Sequence, residues 1–262
     1  MTSTQSSWLY KAMALFLYVD YTLQYKCVKT FSINMGYSHM QKIGEHTWIY
    51  PCDAVKDRPN LGYIKGLDMA LAVDAGHSSS HVMDFYNALE KEMLPLPDIT
   101  VITHWHWDHT FGMHAVHGKT MARPETNTHL ERIQQEMQDD QGYAKRFINS
   151  DVCIRREYAG GVPLKVVSAQ EEVTENICID LGGVHAEICY AESPHTEDAL
   201  LIYVPEDKVV YIGDAQLGEF PSWRMDFRRL EALEQQIRAL DVRTVIDGHW
   251  KPYSKRAFLA EL

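Results

Sequence analysis

Apolar residues recur along this chain in two rhythms, short β-branched runs and longer stretches with helical spacing. Gln41–Tyr50 predicts an opening hairpin. Asn60–Lys65 and Met69–Gly76 predict two more strands, with a turn at Gly66–Asp68. Ser78–Leu94 predicts a serine-capped helix with Val82, Phe85, Leu89 and Met93 on its core face. Asp98–Thr103 is a compact buried strand, so strand, helix and strand form a crossover unit. A short helix over Phe111–His117, a strand over Lys119–Arg123 and a polar helix from Pro124 follow. Charged helical sequence then continues to about Gly161. Pro163–Ser168, Asn176–Leu181 and Val184–Tyr190 predict strands of a second sheet, the last two joined by a Gly182-Gly183 turn. Ala199–Val204 and Val209–Asp214 are strands around the turn Pro205–Lys208. Phe227–Leu240 is an amphipathic helix facing inward through Leu230, Leu233, Ile237 and Leu240. Thr244–Ile246 is the last strand. No repeat, linker or low-complexity tract interrupts this order, and the periodicity alone says α/β.

Composition narrows the class. The 262 residues carry a formal charge of −11, which disfavours a nucleic-acid partner because such binding rests on a basic surface. A content of 45% hydrophobic and 11% aromatic residues is that of a folded globular chain. Cys27, Cys52, Cys153, Cys178 and Cys189 are odd in number and lack a Cys-x-x-Cys pair. Neither a disulfide framework nor a zinc knuckle is expected. A reducing, cytoplasmic setting is favoured over a secreted or periplasmic one, with Cys178 and Cys189 as core thiols. The apolar run Ala12–Val19 is too short to span a bilayer, so no membrane association is expected. Residues 1–39 form an N-terminal extension of unknown role, expected to pack on the main domain or to mediate a homodimer.

Candidate chemistry concentrates where the Asp98–Thr103 strand ends. His104, His106, Asp108 and His109 place four metal-capable side chains within six positions. One ion rarely takes all four from so short a loop, but two can, with His104 and His106 pointing one way and Asp108 and His109 the other. The alternative is a solvated His-rich tract, which the interleaved Trp105 and Trp107 oppose.

His104-Trp-His106-Trp-Asp108-His109 after a strand resembles the His-x-His-x-Asp-His motif of the metallo-β-lactamase-fold hydrolases. The resemblance extends over residues 41–255, because three further expected ligands occur in the expected order. His195 precedes a strand, Asp214 ends the next, and His249 lies near the C-terminus. It implies a four-layer αββα sandwich over residues 40–262, with a helical insertion at about 124–161. That insertion is either a lid over the site or a solvated hairpin. The resemblance assigns one ion to His104, His106 and His195, a second to Asp108, His109 and His249, and Asp214 to both.

The implied cofactors are two zinc ions, or alternatively iron or manganese. The implied activity is hydrolysis of a small-molecule ester, thioester, lactone or amide by a hydroxide shared between the ions, with Asp108 as catalytic proton carrier. Other activities of the fold are β-lactamase, phosphodiesterase and iron-dependent persulfide oxygenase; a non-catalytic metal-binding module is the non-enzyme alternative. Asp214 stands where a β-lactamase branch carries Cys, which lowers that option. Asp74, in Asp74-Ala-Gly76, matches a residue that supports the metal loop in such proteins. His77 is expected at the surface, with a substrate-side or capping role as the alternative. Trp250 is expected either to narrow the cleft or to be a core-edge aromatic. His114 and His117 are expected to be structural.

Overall fold

A computed structural model describes residues 39–262. The expectations for the N-terminal extension and Cys27 lie outside the described residues, apart from His39. Seven strands form the first sheet in sequential order: β1 (Gln41–Lys42), β2 (Thr47–Tyr50), β3 (Leu61–Lys65), β4 (Ala70–Val73), β5 (Ile99–Val101), β6 (Lys119–Ala122) and β7 (Glu171–Glu172). The second sheet is ordered β13-β12-β11-β10-β9-β8. Its strands are β8 (Ile177–Asp180), β9 (His185–Tyr190), β10 (Leu200–Val204), β11 (Val209–Gly213), β12 (Thr244–Asp247) and β13 (Tyr253–Ser254). The helices are α1 (Ser79–Lys91), α2 (Trp107–Thr110), α3 (Pro124–Asp139), α4 (Tyr143–Ser150), α5 (Val152–Glu157), α6 (Phe227–Ala239) and α7 (Lys255–Glu261).

The period-two alternation of strand side chains divides the apolar residues between two packing faces. Ile64, Leu71, Val73 and Val101 of the first sheet meet Leu200, Ile202, Val204, Val209, Tyr211 and Ile246 of the second in one central core. The alternate residues face outward. Tyr63, Ala70 and Ala72 pack under Phe85, Ala88 and Leu89 of α1, while Leu201, Tyr203, Val210 and Val245 pack under Leu233, Ile237 and Phe258. Helix, sheet, sheet and helix make the four layers. β10 and β11 are buried at every residue, which is why they read as unbroken apolar runs. Among the described residues, no helix is long and apolar enough to cross a membrane.

Four local expectations require correction. Pro163–Ser168 is not a strand. Val166 and Ala169 bury against Leu130 and Ile133 of α3, and Asn127 bonds the backbone N–H and C=O of Ala169, so a side chain replaces the ladder. The strand comes later, at Glu171–Glu172, and pairs in parallel with β6 in the first sheet. Met93 is not core. α1 ends at Lys91, Met93 takes a left-handed φ of 55°, and its side chain is 90% exposed. Cys178 is exposed and Cys189 half-buried, because β8 is an edge strand whose outer face is exposed at Cys178 and Asp180. Phe111–His117 holds only one 3-10 turn, Met113–Ala115.

Asp207, in the β10–β11 turn, braces the two sheets. Its carboxylate accepts hydrogen bonds from Glu45 N, His46 N and Thr47 Oγ1 at 3.1, 2.8 and 2.7 Å. Asp207→Ala leaves three donors in the β1–β2 turn without their acceptor, an expected loss of about 2–3 kcal/mol. A urea denaturation midpoint equal to that of the parent chain would show that the brace carries no stability.

Candidate metal centre

The strands end together at one edge of the sandwich. β4 and β5 run parallel, as do β11 and β12, so their carboxyl ends align, and antiparallel β10 brings its starting end to the same edge. Asp74 follows β4, and the 104–109 stretch follows β5. His195 precedes β10, Asp214 follows β11, and His249 follows β12. Open α/β sheets place their sites at this edge because the loops, not the strands, are free to vary there.

Each ligand candidate is held from behind. Asp74 sits at a left-handed φ of 67°, an uncommon conformation for a non-glycine residue. Its Oδ1 accepts from Thr103 N at 2.7 Å, and its Oδ2 accepts from Thr103 Oγ1 at 2.9 Å and from His109 Nδ1 at 2.7 Å. Thr103 Oγ1, having donated its proton, accepts from His104 Nδ1 at 3.1 Å. His195 Nδ1 donates to the Gly218 carbonyl at 2.7 Å, and Ser193 Oγ accepts the His195 N–H at 3.0 Å. These bonds select the tautomers that leave Nε2 of His104, His109 and His195 unprotonated and directed inward.

Two triads result. His106 Nδ1 lies 3.1 Å from His104 Nε2 and 2.9 Å from His195 Nε2. His249 Nε2 lies 3.2 Å from Asp108 Oδ2, and His109 Nε2 lies 3.5 Å from the same oxygen. Asp214 spans the triads. Its oxygens lie 3.6 Å from His109 Nε2, 3.3 Å from His249 Nε2 and 3.9 Å from His195 Nε2. The side chains of His104, His106, Asp108, His109, His195 and Asp214 are all buried, and His249 is nearly so. Gly248 is required at this point because a Cβ there would strike Asp214 and approach His109 Cε1 to 3.0 Å.

The donor set fits cations. His109 Nε2 and Asp214 Oδ1 are buried without a hydrogen-bond partner, a costly state for polar atoms unless something else satisfies them. Three inward imidazole nitrogens crowd together at His104, His106 and His195, where the tautomers leave two of them no proton to share. Burial pushes His104 and His106 well below the ordinary imidazole range and lowers His195, keeping them in the neutral form that binds metal. Around His109 burial acts the same way, but the carboxylates of Asp108, Asp74 and Asp214 outweigh it and raise its pKa well above normal. Burial also disfavours charge on Asp214, yet His249 and His109 hold it well below the usual carboxylate range. The field at the second triad therefore favours positive charge.

The remaining site expectations separate. Asp74 lies directly behind the metal loop. His77 is not at the surface. It is fully buried, with Nδ1 bonding the carbonyls of Lys56 and Asp57 at 3.1 and 3.0 Å and its ring against Tyr158. Trp250 is half-buried, and its backbone is fixed by Asp247 and Asn60. His114 and His117 bond the carbonyls of Phe111 and Pro97. The insertion carries Phe147 onto Trp107 and Phe111, with ring centroids 6.1 and 5.4 Å apart. It is pinned at its far end by buried Glu157, which accepts from Arg58 Nε and Nη2 at 2.7 and 2.9 Å and from Ser78 Oγ.

Two positioning residues were not singled out from the sequence. Asn60 donates to the carbonyls of Asp247 and Trp250, both at 2.8 Å. Asp247 Oδ1 accepts the N–H groups of His249 and Trp250 at 3.1 and 2.7 Å. An Asp two residues before a glycine-bounded His suggests such a turn, whereas nothing local marks Asn60.

A family model described as the Metallo-beta-lactamase superfamily matches residues 60–249. Among solved structures, a metallo-β-lactamase from Pontibacter korlensis matches with a TM-score of 0.60 at 16% identity, over 85% of this chain and 95% of its own. A metallo-β-lactamase from Hirschia baltica matches with a TM-score of 0.57 at 18% identity, over 85% of this chain and 94% of its own. At these identities the likeness is one of fold. No curated protein matches the sequence.

Asp74→Asn places an amide against the N–H groups of His109 and Thr103 while conserving size. Loss of an outer-shell partner of this kind is expected to weaken metal binding about 10–100-fold, read by competition with a chromogenic chelator. Equal affinity in a folded variant would remove Asp74 from the metal centre.

Proposed function

Because the chain belongs to the metallo-β-lactamase superfamily, we propose that it is a dinuclear zinc hydrolase acting on a small ester, thioester, lactone or amide. The supporting observation is the pair of triads spanned by Asp214. His104, His106 and His195 would hold one ion and Asp108, His109 and His249 the other, with Asp214 on both. Each triad has few enough protein ligands to leave room for water, as a catalytic site requires. When bound, the ions supply an ionised water near neutral pH and positive charge against the scissile carbonyl oxygen.

The chain's own groups do the rest. Asp108 Oδ2, 3.2 Å from His249 and 3.5 Å from His109, is the acceptor that orients the water and carries its proton toward the leaving group. Thr103, Asp74 and Gly218 lock the histidine tautomers, so no reorganisation is needed during turnover. The donors are imidazole and carboxylate with no thiolate, a set suited to zinc and compatible with iron or manganese. The net charge of −11 sets nucleic-acid phosphodiesters below small neutral or apolar substrates. We place the reaction in the cytoplasm, where the thiols of Cys52, Cys178 and Cys189 stay reduced.

Elemental analysis of protein purified without added metal is expected to find about two zinc ions per chain; iron in their place would favour the oxygenase reading. Nitrocefin, S-lactoylglutathione, a homoserine lactone and bis(p-nitrophenyl) phosphate together separate the hydrolase classes. His106→Ala is expected to lower turnover of the active substrate by at least about 1,000-fold in a chain that keeps its circular-dichroism spectrum. Unimpaired turnover in that variant would refute the site.

A further inference from the structure

The histidines of the first triad are not held alike. Thr103 Oγ1 fixes the ring of His104, and the Gly218 carbonyl fixes that of His195. His106 turns Nδ1 toward these two rings, and among the described residues its imidazole bonds only their nitrogens. Other rings surround it, with centroids at 4.5 Å for Trp105, 5.7 Å for Trp107 and 5.7 Å for Phe220. Packing therefore has to set χ2 of His106, a torsion that is otherwise broad and two-fold. That angle decides whether Nδ1 or a ring carbon faces the triad.

Trp105 is itself held at both ends. Thr110 Oγ1 donates to the carbonyls of Trp105 and His106 at 3.1 and 2.8 Å, which anchors the backbone. The indole lies flat on the imidazole of His129, with centroids 4.6 Å and planes 15° apart. His129 Nε2 in turn meets Glu197 Oε1 at 2.9 Å, and Glu197 lies between His195 and β10. His129 belongs to α3, where positions 123, 126 and 129 recur every third residue and share a face. All three grip the loop that carries His195. Arg123 Nη1 donates to the Glu197 carbonyl at 2.8 Å, and Thr126 Oγ1 donates to Asp198 Oδ2 at 2.7 Å. Leu130 and Ile133 bury the same helix against the core, and Asn127 ties it to Ala169. The base of this strut is fixed. An exposed ion pair adds little on its own, but His129 is also stacked, so its ring spans the gap between the two ligand loops.

We propose that His129 is a positioning residue for the first triad. It spaces the loop of His104 and His106 from the loop of His195 and, through Trp105, holds the His106 ring in its ligating orientation. The inference rests on the two-ion reading of the centre. It gives α3, the first helix of the insertion, a part in metal binding. The second triad is braced elsewhere, by Asp74 behind His109 and Asp247 behind His249, so the effect of His129 falls on one ion.

Zinc affinities of the two sites are read by competition with chromogenic chelators, the step lost in His106→Ala being that of the first triad. His129→Ala is expected to weaken this step at least about tenfold and to leave the other within about twofold. His129→Phe keeps a ring on Trp105 and is expected to recover part of the loss. In the metal-free protein, long-range ¹H–¹⁵N spectra are expected to show one set of His106 ring signals in the parent and a second set in His129→Ala. Two unchanged steps in folded His129→Ala, or two steps weakened equally, overturn the strut and leave the two-ion reading standing. A parent chain that binds no zinc overturns the two-ion reading instead, and the metal-free spectra then decide the strut. A second His106 set confined to His129→Ala supports it, and a single set in both chains overturns it.

Discussion

A single carboxylate holds the site to the sheet. Asp74 leaves β4 in a left-handed conformation and spends both oxygens on the loop that follows β5, through Thr103 N, Thr103 Oγ1 and His109 Nδ1. Those bonds define which nitrogen of His109 faces inward and, through Thr103, which nitrogen of His104 does so. The backbone joins in, with Asp74 N to Val101 O at 2.8 Å and Ala75 N to His109 O at 2.9 Å. The ligand loop is thus a continuation of the β4–β5 pairing and not a free segment. The rigidity of a metal site follows from that of the sheet edge it extends.

The same edge concentrates charge that the interior would otherwise reject. Asp74, Asp108, Asp214 and Asp247 are all buried, and burial alone raises a carboxyl pKa. Asp247 shows the effect, pushed up to about 7 mainly by desolvation. Asp214 departs in the opposite direction because imidazoles surround it. The balance between five histidines and these acids gathers buried donors that suit cations. An unpaired buried charge is strongly destabilising, so the arrangement is coherent only as a unit, and loss of one member leaves its partners exposed to that penalty.

What could be read from the sequence depended on how local each cause is. The buried strands were legible since burial on both faces writes itself as an apolar run, and the ligand motif since four donor residues rarely fall in six positions without cause. Asp74 and the three distant ligands were legible only through family resemblance. Pro163–Ser168 misled because an extended apolar segment looks the same whether it pairs with a strand or packs on a helix, and Asn127, which decides between these, is some forty positions away. His77 misled for the opposite reason. A polar ring is expected outside, but the carbonyls of Lys56 and Asp57 accept its proton in the interior. Asn60 was invisible because its two acceptors lie at Asp247 and Trp250, almost two hundred residues on.

The candidate ligands and the rings beside them stand in different parts of the chain. The ligands stand at strand ends, where register and pairing leave little freedom, so a shift of one residue would move a donor out of the centre. Phe220 and Trp223 stand on a turn whose backbone is closed by its own hydrogen bonds and tied to the centre through the Gly218 carbonyl. Side chains at the tip can change without disturbing that anchor, while the anchor cannot change without releasing His195. A fold that separates the two in this way keeps one chemistry and varies what it acts on.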